Sequence, residues 1–315
     1  MLVTAFAWVV STWLLPRGMK WLITVALAAI IAQHLAEHCW TKIEAIPGLV
    51  ITAAKAMTES KESVSERLVT AIAMLSGVLT EAKVCPTHGI DHAIRVSHHA
   101  RMALRHWRQP LTENQRTAVI LAALLHDADD RKFFPTHKDY ENARATLKAL
   151  FPDIEDLVVK MITYVSASSN RNEIPAVIQK DPSLLWMLVP RWADRLEATG
   201  YVCIVRCWDY NAGLKRPLFT EKTPVVKTEE ELWKVATKER YAKYNGGSDS
   251  MIDHYDDKLL HMFDEPTHNE YIDKHAKKRR EAVIAFRLSF DGAVVPYDAE
   301  KFAKLVDQEF RECFN

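Results

Sequence analysis

Apolar residues recur along this chain at helical spacing, and strand-like alternation of apolar and polar positions is nearly absent. The runs 51–57, 68–75, 119–125, 154–165, 184–207, 283–290 and 302–314 each predict a helix with a buried face. Pro86, Pro110, Pro135, Pro152, Pro175, Pro182, Pro217 and Pro224 punctuate the chain, as breaks between helices require. The predicted fold class is all-α. Between Tyr210 and Glu229 the periodicity lapses into a stretch rich in Lys, Thr and Pro, which reads as a surface excursion. The segment Asn245-Gly-Gly-Ser-Asp-Ser250 reads as a turn and a candidate lid hinge.

At 315 residues the chain can bury one large core, with room for an appendage. Residues 1–45 are the candidate appendage and 46–315 the main domain. Met1 to Pro16 holds no charged residue, Arg17 and Lys20 interrupt, and Trp21 to Ala32 is apolar again. Neither run reaches the roughly 20 residues a membrane-crossing helix needs, and joined they would bury two cations in mid-span. A signal peptide beginning at Arg17 would carry an unusually long apolar preamble. Two readings stay open, a membrane-surface anchor and a pair of core helices; Trp8, Trp13, Trp21 and Trp40 favour the anchor.

Lys+Arg and Asp+Glu both number 41, so no basic excess advertises a nucleic-acid polymer as partner. Five cysteines without a CxxC pair argue against a disulfide scaffold and for a reducing compartment, the cytoplasm or the cytoplasmic face of a membrane. Cys203 and Cys207, four apart on a predicted helix, read as two small buried residues more readily than as metal ligands.

Four residues carry the candidate chemistry: His92, His126, Asp127 and Asp194. His126-Asp127 closes the apolar run 119–125, and Asp194 lies close to the apolar segment 184–189, so both carboxylates are candidates for burial. A buried carboxylate stays charged only when paired or metal-bound. A shell of two imidazoles and two carboxylates suits Mn, Fe, Co, Ni, Zn or Mg better than Ca. An ion so held acidifies water into a nucleophile. His88, His92 and Arg95 fall on one face of a helix predicted from about His88. His98, His99 and His106 lack such context and read as exposed helix residues.

The order His92…His126-Asp127…Asp194, in the segments 88–96, 124–127 and 193–200, resembles the HD-domain metal-dependent phosphohydrolases. The segment 250–260, Ser-Met-Ile-Asp-His-Tyr-Asp-Asp-Lys-Leu-Leu, is similar to the C-terminal signature of the single-domain, nucleotide-pyrophosphatase-like branch. The resemblance covers residues 84–290. It implies an HD-domain helical bundle and one divalent ion, Mn favoured, held by His92, His126, Asp127 and Asp194. It further implies Asp130 as a proton-transfer residue and Lys132 as a phosphate neutraliser. His88, Arg95, Arg131, His254 and Lys258 are the expected substrate contacts. The implied substrate is a small phosphorylated molecule, a nucleotide mono- or triphosphate. The alternatives are a catalytically silent metal- or nucleotide-binding sensor and a hydrolase of a non-nucleotide metabolite.

Two departures stand out. Val165 falls where bacterial relatives of that branch carry a histidine, and His137 alone is available for a further metal-binding role in that interval, which favours one ion over two. Gly89 stands where an Asp is common, with Asp91 displaced by two.

Overall fold

The computed structural model describes residues 63–166, 173–264 and 267–313, and all regular structure among them is helical. The helices are α1 (Val64–Glu81), α2 (Ile90–Arg105), α3 (Glu113–Leu125), α4 (Glu141–Leu150), α5 (Glu155–Val165), α6 (Ala176–Lys180) and α7 (Val189–Leu196). Then come α8 (Gly200–Gly213), α9 (Glu229–Val235), α10 (Lys238–Ala242), α11 (Met251–Asp257), α12 (Glu270–Ser289) and α13 (Ala299–Glu312). The chain divides into units 1–74 and 75–315, and every candidate site residue belongs to the second. The expected appendage 1–45 and the run 51–57 lie outside the described residues. Among the described residues no helix is long and apolar enough to cross a membrane.

Helix α3 is the central element. Thr112 and Gln115 form a reciprocal capping box, the Thr112 hydroxyl accepting from the Gln115 amide and the Gln115 side chain from the Thr112 amide. From Thr117 to Leu125 every residue but Ile120 is buried. A helix apolar all round belongs inside a bundle, and α3 packs against α2, α5 and α7. Leu121, Leu124 and Leu125 are each about 1% exposed or less, and each contributes roughly 1.5–3 kcal/mol of burial. This packing brings the end of α3, the first turn of α2 and the last turn of α7 together.

A second apolar cluster gathers around α8, α11 and α12, with Ile204, Leu232, Met251, Tyr255, Val283, Phe286, Phe290 and Phe302 in its interior. Two of its members, Cys203 and Leu259, also line the cleft described below.

The run expected as one helix, 184–207, is three elements: a 3-10 turn (Pro182–Leu188), α7 and α8. Pro190 suits the first turn of α7, where its missing N–H has no partner to lose. Gly200 adopts φ +74°, and a Cβ there would come within 2.1 Å of Glu309 Oε1. The Glu309 carboxylate, from α13, accepts from the Tyr201 and Val202 amides at the start of α8 (3.2 and 3.4 Å). A negative group at a helix N-terminus is favourable, so Gly200 admits a cap supplied from elsewhere in the chain. Further on, α8 continues to Gly213, so the irregular stretch expected from Tyr210 starts only at Leu214.

Candidate metal centre and cationic cleft

The packing of α2, α3 and α7 collects all four candidate ligands. His92 Nε2 lies 3.3 Å from Asp194 Oδ1 and 3.8 Å from Asp127 Oδ2. His126 Nε2 lies 3.4 Å from each of the same two oxygens. For ligand bonds of about 2.1 Å, neighbouring donors should sit about 3.0 Å apart in an octahedral shell and about 3.4 Å in a tetrahedral one. The observed edges fall in and slightly beyond that range. The two imidazoles meet edge to face, with centroids 5.2 Å apart.

His126 Nδ1 donates to the Ala123 carbonyl (2.8 Å), one of the carbonyls left free at the end of α3. That bond turns Nε2 toward the carboxylates, the orientation a ligand histidine needs. Yet His92 Nε2 and His126 Nε2 are both buried without a hydrogen-bond partner. Buried ring nitrogens without partners are rare and costly. A divalent cation among the four donors satisfies both nitrogens and neutralises both carboxylates. The residues therefore fit a metal ion. Burial lowers the His92 pKa, helped by the Arg206 charge. Burial also pulls on His126, but the Asp127 and Asp194 carboxylates outweigh it and raise that imidazole well above its ordinary value. Asp127 and Asp194 keep 24% and 28% of their side chains exposed, so the donor set opens to solvent on one side.

A cleft of about 440 Å³ lies between the η-turn Pro86–His88, α8, α11 and the loop before it, and His88, from its lining, has a ring nitrogen within 4.8 Å of donor oxygens of Asp127 and Asp130. Lys132, Arg206, Arg216 and Lys258 line it, with His88, His254, Tyr210 and Tyr244. Lys132 has a carboxylate neighbour, Asp130 Oδ2 at 3.5 Å. Arg206 donates to the Glu197 carbonyl (3.0 Å), Arg216 lies over the Tyr210 ring (5.6 Å) and Lys258 over the Tyr244 ring (5.7 Å). The last three are thus positioned by neutral groups and retain their charge for a ligand. Burial, with neighbouring cations, lowers His88 to about 4 and His254 to about 3, so both are neutral at physiological pH. Burial also lowers the Lys258 pKa. Four cationic side chains and one carboxylate, Glu197, line the cleft, near a set of donors that includes two carboxylates.

The expected substrate contacts divide. His88, His254 and Lys258 line the cleft. His88 sits on the 3-10 turn ahead of α2, not on α2 itself, which starts at Ile90 after an extended Gly89. Arg95 is turned away: its Nε donates to Glu197 Oε2 at 2.6 Å. Arg131 is exposed, makes none of the cleft wall, and lies where its charge acts on the Tyr140 phenol. Asp130 accepts from the Lys132 amide (2.9 Å) and keeps its other oxygen toward the Lys132 ammonium. Sequence reasoning missed Arg206 and Tyr210, because the break at Gly200 decides which face of α8 looks into the cleft, and it missed Arg216 and Tyr244, which reach the cleft from the irregular segments after α8 and after α10.

His98 and His99 depart from the expected exposure, and both are buried. His99 bonds through Nδ1 to the Tyr271 hydroxyl (2.7 Å) and through Nε2 to Glu197 Oε1 (3.1 Å). His106 is exposed. Cys203 and Cys207 line the cleft as free thiols, and neither joins a metal-ligand cluster among the described residues. Asp129, His137 and Glu141 form a separate donor group. Asp129 is already engaged there, accepting from His137 Nδ1 and from the Asn142 and Ala143 amides at the start of α4.

Comparison with known proteins gives a family without an assigned activity. The chain is 36% identical over 222 residues to the uncharacterized protein L803 of Acanthamoeba polyphaga mimivirus, an alignment covering 64% of this chain and 88% of that protein. The chain belongs to the same family as this viral protein. A crystal structure of a Lactobacillus plantarum protein is 19% identical and covers 70% of this chain and 93% of its own, with a TM-score of 0.45, too loose a likeness to argue from. No protein-family model matches the sequence.

Proposed function

We propose that this protein is a metal-dependent phosphohydrolase of the HD type, cleaving a phosphoester or phosphoanhydride bond in a small nucleotide. The observation that carries the reading is two buried imidazole nitrogens without a hydrogen bond, each facing carboxylates at 3.3–3.8 Å, with four cations lining a cleft nearby. His92, His126, Asp127 and Asp194 would hold one divalent ion, Mn favoured. When bound, that ion supplies Lewis acidity, polarising a phosphoryl oxygen and lowering the pKa of water.

The remaining roles belong to the chain. Lys132, Lys258, Arg206 and Arg216 face the phosphate oxygens, over which the transition state spreads its negative charge. Their placement against a carbonyl, two rings and one carboxylate orders them before substrate arrives, so little reorganisation is needed. Asp130 is the proton-transfer group: it follows Asp127 by three residues, one of its carboxylate oxygens lies within 4.8 Å of an Asp127 oxygen and a His88 ring nitrogen, and it can accept the nucleophile's proton. His88 and His254 contribute neutral hydrogen-bonding edges. Free thiols at Cys85, Cys203, Cys207 and Cys313 suit a reducing compartment, and we assign the protein to the cytoplasm or the cytoplasmic face of a membrane.

A phosphate-release screen with Mn, Co, Ni and Mg, over nucleotides and general phosphoesters, tests the proposal. Metal-dependent release of phosphate or pyrophosphate, abolished by chelation, is the expected result. A metal-loaded protein that releases neither from any substrate would contradict it.

A further inference from the structure

Two thiols in the cleft wall have no part in the chemistry proposed above. Cys203 and Cys207 stand four residues apart on one face of α8, and both line the cleft. Cys203 is 2% exposed, whereas Cys207 is half-buried, so Cys207 is the thiol that meets solvent. Tyr255, on α11, belongs to the apolar cluster that holds Cys203 and packs against Cys207. It is fully buried, and its hydroxyl has no hydrogen bond. The charges that act on it most strongly are those of Cys207 and Cys203. A buried hydroxyl left without an acceptor is costly, and an ionised sulfur at Cys207 supplies one. Two cations line the same cleft, Arg206 next to Cys207 in the chain and Lys258 at the end of α11. Tyr244 also feels the Cys207 charge, and Glu309 from α13 acts on Cys203. The Cys203 thiol, as hydrogen-bond donor, lowers the Cys207 pKa against the pull of burial, aided by Arg206, Tyr255 and Lys258. The same bond, with burial, raises Cys203 well above its ordinary value.

We propose that Cys207 is an oxidant-sensitive modification site, at which a hydroperoxide enters the cleft and reacts with a sulfur held ready by Cys203, Tyr255, Arg206 and Lys258. A thiolate with cations and hydrogen-bond donors around it, and open to solvent, is the reactive kind. The Cys207 sulfur attacks one oxygen of the peroxide, an S–O bond forms and the O–O bond breaks. The sulfur loses two electrons and becomes sulfenic acid. The peroxide is reduced, and its departing oxygen takes a proton from solvent to leave as water or an alcohol. Cys203 is a positioning residue here and not a disulfide partner. Residues four apart on a helix have Cβ atoms about 5–6 Å apart, beyond the roughly 3.5–4.5 Å a disulfide spans. None of these groups is a metal-binding candidate, so the proposal does not depend on the metal centre. The oxygen added at Cys207 occupies cleft space beside cations that serve an anionic ligand.

Reading each cysteine of the full chain separately tests this without reference to activity. The protein is treated with hydrogen peroxide at neutral pH, trapped with dimedone and analysed by mass spectrometry of its cysteine peptides. Iodoacetamide labelling across a range of pH is the second probe. Cys207 should be trapped as sulfenic acid, and should be alkylated about tenfold faster than Cys85, Cys203 or Cys313, the gain in thiolate that such surroundings bring at neutral pH. The midpoint of its labelling profile should lie below the ordinary thiol value of 9.0. Tyr255→Phe, which removes only the hydroxyl, and Cys203→Ala should each move that midpoint upward, a change that a merely structural role would not produce. Thermal melts show that the variants are folded, and the wild-type rates decide on their own if either is not. A Cys207 that reacts no faster than Cys85 would overturn the proposal. So would a midpoint that stays in place in both folded variants, or a Cys203–Cys207 disulfide recovered in place of the trapped sulfenic acid.

Discussion

Helix α2 and the end of α7 make two histidine–carboxylate meetings, and the two are completed in different ways. Near the start of α2, His92 meets Asp194; two turns later, His99 meets Glu197. Glu197 is 1% exposed and accepts from His99, from Arg95 Nε and from Arg279 Nη1, and those bonds outweigh burial to hold its pKa well below the usual range. Both His99 nitrogens have partners, and burial lowers its pKa to about 4. Here the chain neutralises its own buried carboxylate with two guanidinium groups. At His92 the carboxylates are two, the facing imidazoles have buried nitrogens without a hydrogen bond, and among the described residues no guanidinium pairs with either carboxylate. The same pair of helices builds a closed electrostatic joint at one level and a set of donors awaiting a cation at the other. A functional site differs from a structural one by what it leaves unpaired.

Breaking the open meeting should cost activity most. Asp127→Ala is expected to reduce turnover below detection, because it removes a ligand of the tight ion; a turnover assay at saturating metal checks this. Asp130→Asn should keep the tight ion and lower the rate by roughly 10²–10⁴-fold, the usual worth of a general acid or base. Unchanged turnover in that variant would make Asp130 a loop carboxylate with no part in proton transfer.

Breaking the closed meeting should cost stability instead. Glu197→Gln leaves Arg95 and Arg279 without their carboxylate, and the loss of one partner from a buried pair is worth about 3–5 kcal/mol. Urea melts would measure it. A Glu197→Gln protein as stable as wild type would show that the pairing matters little.

The two meetings also respond oppositely to pH. Glu197 has a depressed pKa, so its contribution is present above the ordinary value of 4.5 and is lost as pH falls toward the lowered one. His126 has a raised pKa in the metal-free protein, so its contribution is full below 6.5 and fades as pH rises through the raised value. Metal stabilisation should therefore grow as pH rises from 6.5 through the raised value, as protons cease to compete for the site. Thermal melts with and without Mn²⁺ across that range check it; an increment independent of pH would count against the ion replacing a proton on His126.

Three of the four metal-binding candidates sit in a local pattern, a His-Asp pair ending an apolar run or an Asp close to one, and His92 was picked out by its place in the motif order of the resemblance. The all-α fold was legible for the same reason, since periodicity is a local property. The closed meeting was not. His99 finds Glu197 at a separation of 98 residues and Tyr271 at 172, and nothing near His99 in sequence signals burial. Arg206 was hidden by the break at Gly200, where a carboxylate from α13 caps the start of α8, and Arg216 by the irregular segment that follows α8. Arg95 shares the spacing of a site residue, but its Nε is engaged by Glu197 at 2.6 Å and it is not part of the cleft lining.

The most direct test of the difference between the two meetings is the metal content of three purified proteins: wild type, His126→Ala and His99→Ala. The account predicts one tightly held divalent ion per chain in the wild type and in the folded fraction of His99→Ala, and none in His126→Ala. Full occupancy in His126→Ala, or its loss in a folded His99→Ala protein alone, would contradict it.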